Sequence, residues 1–150
     1  MIINYNYLFF VWFVLLTGSF IACKESTDPE QEVRLQQLAE FAAEENLDLS
    51  QYDYVLVEGR VKCKGCVQIW PDRISKEPIV EASVLFICGD MDTYRLFGLK
   101  NSDVFVVNLD SIEYAFPYIA NYFLFYRSDG QFDKYIELGA RNTPIPGSIR

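Results

Sequence analysis

From residue 28 onward the apolar positions follow two different periods. Val33, Leu35, Leu38, Phe41 and Ala42 recur at helical spacing and predict a helix over Pro29 to Glu45. Asp28 is placed to cap it, with proline at the first position and acids in the first turn. Asn46 to Gln51 is a connection, and Tyr54-Val55-Leu56-Val57 opens a strand running to about Val61. A second helix is expected over Val67 to Lys76. Ser83 to Cys88 (SVLFIC) is apolar without alternation, the pattern of a strand covered on both faces. Gly89-Asp90 turns the chain, Asp92 to Leu99 suits a short helix, and Val104 to Asn108 (VFVVN) is another strand. Ile112 to Ala120 fits neither period, and Pro117 breaks any long helix there. Tyr122 to Tyr126, then Arg127-Ser128-Asp129-Gly130, then Gln131 to Leu138 predicts a β-hairpin with Asp-Gly at its turn. The tail from Gly139, with Pro144, Pro146 and Gly147, reads as loop. This order of elements predicts one α/β domain, a mixed sheet with flanking helices.

The segment before residue 28 has a different character. Met1 to Ala22 carries no charged side chain, and Tyr7 to Leu16 is a continuous apolar run. That run suits the core of a secretory signal and is shorter than the ~20 residues that span a bilayer. Phe20-Ile21-Ala22-Cys23, followed at once by the polar KESTDPEQE, resembles a bacterial lipobox. Residues 1–22 are then a lipoprotein-type signal peptide, Cys23 is the lipidation site, and 23–51 hold the tether and amphipathic helix. The implied location is the cell envelope, lipid-anchored and facing the periplasm or the cell surface. Two or more acyl chains, at about 0.8 kcal/mol per buried CH₂, make a stable anchor.

Composition narrows the chemistry. The net charge of −8 argues against nucleic acid as a partner, since phosphate binding needs a basic face. The chain has no histidine, which removes Ser-His-Asp and Cys-His catalysis and every His-ligated zinc or haem.

Of the four cysteines, Cys63 and Cys66 form a C-x-x-C pair within RVKCKGCVQIWPDRI. Three uses are open to it. As a staple it closes a four-residue loop, for about 2 kcal/mol against roughly 3.4 for a Cys66–Cys88 loop, so reinforcement is a weak reason to have it. As a metal clip it lacks the third and fourth ligands that zinc needs, while two thiolates remain enough for Cu(I). As a redox pair it sits between a strand and a helix, where unsatisfied helix N–H groups stabilise a thiolate. Lys62 and Lys64 flank Cys63 and act in the same direction. Cys63 is then the exposed attacker and Cys66 the resolving thiol. Cys88, inside the SVLFIC run, reads as a small buried thiol.

The pair, followed by Pro71 five residues after Cys66, is similar to the active-site helix of thioredoxin, which carries a kinking proline at that spacing. From Tyr52 to Gly139 the order of elements also resembles a thioredoxin-like domain. With the lipobox, the chain looks like the small thioredoxin-like lipoproteins of the Bacteroidetes type. The resemblance implies disulfide exchange with protein thiols, without metal or cofactor, by an envelope protein held through its lipid. Kept as a permanent bond, the same pair instead implies a binding module on the same fold. Several positions depart from the family pattern. Lys62 stands where an aromatic residue is common. The position just before the hairpin is Asn121 or Tyr122 rather than proline, Pro117 lying earlier. Glu58 is one residue from the family's buried acid, and the closing C-terminal helix is missing.

Other constellations have plainer readings. Asp90-Met91-Asp92 could be a D-x-D metal motif but suits a turn and an N-cap. The aromatics of the hairpin belong to sheet faces, whereas Tyr114 and Tyr118 lie outside it and invite a check of exposure.

Overall fold

The computed structural model describes residues 28–60, 66–117, 121–128 and 130–138. Helix α1 spans Pro29–Glu44, and the Asp28 carboxylate accepts the Glu30 N–H at 3.0 Å as its cap. Strand β1 is Tyr54–Glu58, α2 is Cys66–Ile74, β2 is Val84–Cys88 and α3 is Met91–Phe97. Strand β3 is Ser102–Val106, α4 is Leu109–Ala115, β4 is Tyr122–Arg127 and β5 is Phe132–Leu138. Short 3-10 turns cover Leu49–Gln51 and Pro78–Glu81.

The five strands form one mixed sheet in the order β3-β2-β1-β4-β5. β1, β2 and β3 run parallel, while β4 is antiparallel to both β1 and β5. Alternation along each strand divides the core in two. Leu56, Phe86, Leu124 and Val84 pack against Trp70 and Ile74 of α2 and Phe97 of α3. Val55, Val57, Leu85, Ile87, Phe123 and Phe125 pack against Leu38 and Phe41 of α1 and Ile112 and Phe116 at α4. The protein is therefore α/β, with helices on both faces of the sheet. All five residues of β2 are buried, as its unbroken apolar run requires.

Several local expectations are corrected. Val33 is not part of the inward stripe of α1: it is 52 % exposed, and Arg34 turns inward instead. The Arg34 guanidinium lies 4.9 Å from the Phe123 ring centroid, and its Nη1 donates to the Pro117 carbonyl at 2.9 Å. This fixes Pro117 on the α1 side of the sheet, opposite α2. Asn108 does not end β3 but caps α4, accepting the Asp110 N–H at 2.9 Å. α4 escaped the pattern reading because Ile112 and Phe116 are its only fully buried apolar anchors. The hairpin carries a bulge where Arg127 pairs with Phe132 and Tyr126 with Lys134. The extra residue explains how Phe132 and Tyr135, three apart, pack on the same side.

The expected signal peptide and the tail from Gly139, where the absence of a closing helix is expected, lie outside the described residues. Among the described residues no helix is long and apolar enough to cross a membrane.

Candidate functional site

On the face covered by α2 and α3, the middle rung of the sheet reads Val104, Phe86, Leu56, Leu124, Ile136 across the five strands. Every side chain in it is apolar. The next rung, at the C-terminal ends of the parallel strands, reads Val106, Cys88, Glu58, Tyr122, Leu138. Cys88 stands beside Glu58 when the β1–β2 register is continued by one residue. A thiol, a carboxyl and a phenol thus occupy the three central strands side by side. All three are buried: Glu58 is 8 % exposed, Cys88 0 % and Tyr122 1 %.

The loop after β2 organises this row. Gly89 donates its N–H to Glu58 Oε2 at 2.7 Å. Asp90 caps α3, accepting the Thr93 N–H at 2.7 Å and the Thr93 hydroxyl at 3.1 Å. The Cys88 thiol donates to the Asp90 carbonyl at 3.1 Å. A side chain at Gly89 has no room, because a Cβ there would lie 2.5 Å from Leu109 Cγ. The first residue of α4 therefore closes over the bare loop, holding Gly89 against β1.

Burial sets the acid–base character of the row. It raises the Glu58 carboxyl above the ordinary glutamate range, assisted by the nearby Asp90 charge and opposed by the Gly89 N–H and Thr93. Burial, with Glu58 next to it, pushes the Cys88 thiol up to about 11. The Tyr122 phenol is raised by burial first, then by Glu58 and Asp90. Cys88 is consequently an inert thiol, as its place in an apolar strand suggests. Glu58 is the most acidic member of the row, its carboxyl held above the ordinary range. Such an arrangement can store a proton or pass one to a neighbour.

α2 begins at Cys66 on this face, and Trp70, Pro71 and Ile74 are buried along its inner side. Pro71 lies inside the helix, as its spacing predicts. Cys23, Lys62, Cys63, Lys64 and Tyr118 lie outside the described residues. Asp90 is a helix cap, and Asp92 pairs on the surface with Arg95 at 3.0 Å. Among the described residues no cluster of His, Cys, Asp or Glu converges to hold a metal. Tyr114 is 85 % exposed and lines a cleft of about 330 Å³ with Glu44, Glu45 and Asp110.

Glu58 lies one residue from the position of the family's buried acid, which leaves the direction of its side chain open. In the fold it shares parity with Leu56 and faces α2. Tyr122 escaped notice because it is one aromatic among several in a hairpin. Only the strand register shows that Tyr122 stands opposite an acid.

The sign of the Glu58 shift gives a direct expectation. A glutamate whose carboxyl is raised by the fold adds stability that is fully present below the ordinary value of about 4.3 and lost as pH rises through the folded-state value. Glu58→Gln removes that term. The urea midpoint of the wild type should fall relative to that of Glu58→Gln from about pH 4.3 upward; parallel midpoints would show that Glu58 titrates alike folded and unfolded. Compared with protein-family models, curated proteins and solved structures, the chain finds no match in any of the three.

Proposed function

We propose that this protein is a lipid-anchored thiol–disulfide oxidoreductase of thioredoxin-like fold, acting on protein thiols and disulfides through Cys63 and Cys66. The observation that carries the reading is the buried Glu58, on the strand that feeds the C-x-x-C helix and on the face that helix covers. Two further features support it. The parallel β1–α2–β2 unit followed by the antiparallel β4–β5 hairpin beside β1 is the arrangement the family resemblance leads one to expect. Cys66 is the first residue of α2, and a helix N-terminus is where a thiolate is favoured. Cys23, acylated, holds the domain to the envelope.

In this reading the Cys63 thiolate, favoured by Lys62 and Lys64, attacks one sulfur of a client disulfide. A mixed disulfide forms and the other client sulfur leaves as a thiolate. The Cys66 thiol then gives its proton to the Glu58 carboxylate while its sulfur attacks Cys63. The second client thiolate leaves and takes up a proton. The client gains two electrons, and Cys63–Cys66 is oxidised to a disulfide.

The test is the reduction potential of that disulfide in the purified chain, by glutathione titration with thiol trapping. A value between about −120 and −270 mV supports exchange chemistry. One below about −300 mV indicates a permanent bond and a thioredoxin-shaped binding module. A pair that forms no disulfide overturns the redox reading and directs attention to Cu(I).

A further inference from the structure

The Tyr122 hydroxyl is buried and has no hydrogen-bond partner among the described residues. Its ring does ordinary packing work, edge-on to Phe97 with centroids 5.0 Å apart. Phenylalanine would make that contact and leave no unsatisfied donor, and the rungs around it are built of such residues. The hydroxyl therefore calls for a separate reason. Across the β1–β4 pair Tyr122 opposes Glu58 directly and on the same face. Glu58 is here turned towards the other side, with Oε2 on the Gly89 N–H.

We infer that Tyr122 is a positioning residue for Glu58: its hydroxyl is a further donor beside the Gly89 N–H and Thr93, receiving the carboxylate once Glu58 has lost its proton. The inference rests on the exchange chemistry proposed above, in which Glu58 must be stable both as acceptor and as donor. Among the described residues, the groups facing Glu58 leave few other ways to hold the charge. β2 contributes Cys88, the following loop contributes the Gly89 N–H and the unfavourable Asp90, and α3 contributes Thr93. Described residues of α2 on that side, Trp70 and Ile74, carry no charge. A buried carboxylate with one backbone N–H, one threonine hydroxyl that Asp90 also engages, and a like charge beside it is poorly compensated. A phenol opposite it supplies a neutral donor that adds no charge when the acid is protonated.

The experiment compares Tyr122→Phe with wild type by carbon-detected NMR titration of the Glu58 carboxyl and by the pH–rate profile of client reduction. Without the donor the ionised form is less favoured, so Glu58 should titrate at higher pH. The rate at pH 7 should fall about tenfold, as expected on losing a hydrogen bond to a charged group, and recover at higher pH. Melting temperature should hold or rise, since an unsatisfied hydroxyl has been removed. In a Glu58→Gln background the same change should leave the rate unaltered. A Glu58 titration that does not move in Tyr122→Phe overturns the inference, with or without a fall in melting temperature. If the wild type reduces no client, the exchange reading fails, and the carboxyl titration alone still decides the role of Tyr122.

Discussion

Cys63→Ser should abolish disulfide exchange, with a loss of roughly a thousandfold or more, and leave the fold intact. A serine hydroxyl has almost no ionised fraction near neutrality, and neither the N-terminus of α2 nor Lys62 and Lys64 can change that. Cys66→Ser should behave differently, because attack still occurs and resolution does not: the mixed disulfide with the client accumulates and is recovered on a non-reducing gel. Cys88→Ala is the control. Its thiol is wholly buried and held protonated well above neutral pH, so exchange should persist with only a packing cost. Insulin reduction that survives Cys63→Ser would overturn the assignment.

Phe86→Ala should be the most destabilising single change in the core, at about 3–5 kcal/mol. Phe86 is fully buried at the centre of β2, between Leu56 of β1 and Val104 of β3. Its ring meets Phe97 at 4.9 Å and Tyr94 at 6.0 Å, so it joins the sheet to α3. Truncation leaves a cavity one rung below the Cys88–Glu58–Tyr122 row. Against a typical total of about 5–15 kcal/mol, the loss takes a large share of the protein's stability. Urea unfolding by circular dichroism should show a midpoint lower by about 2–3 M at a slope near 1.5 kcal/mol/M. Phe86→Leu should cost much less. Tyr114→Ala, at an 85 % exposed position, should lie within about 0.5 kcal/mol of wild type. A midpoint for Phe86→Ala within 0.5 M of wild type would mean that β2 is not the keystone of this core.

Much of the fold is readable without tertiary information, where the cause is local. A carboxylate two or three residues before a backbone N–H makes a cap, so Asp28 and Asp90 could be assigned from neighbours alone. The SVLFIC run could only be a strand covered twice, and the hairpin declared itself by apolar runs on either side of its turn. The site was half legible. C-x-x-C, the flanking lysines and Pro71 are chemistry written in spacing. Glu58 stood out as an acid near the end of an apolar strand, yet its direction could not be known.

Three things waited on the tertiary structure. Which way Arg34 and Val33 turn depends on a cation meeting the Phe123 ring across the α1 interface. Whether Leu109–Ala115 forms a helix depends on Ile112 and Phe116 finding the second core. The row Cys88, Glu58, Tyr122 joins residues that lie on three strands. Sequence periodicity fixes which side chains share a face of one strand; strand order and register decide which of them meet across strands, and those are set by how the whole sheet buries its two faces.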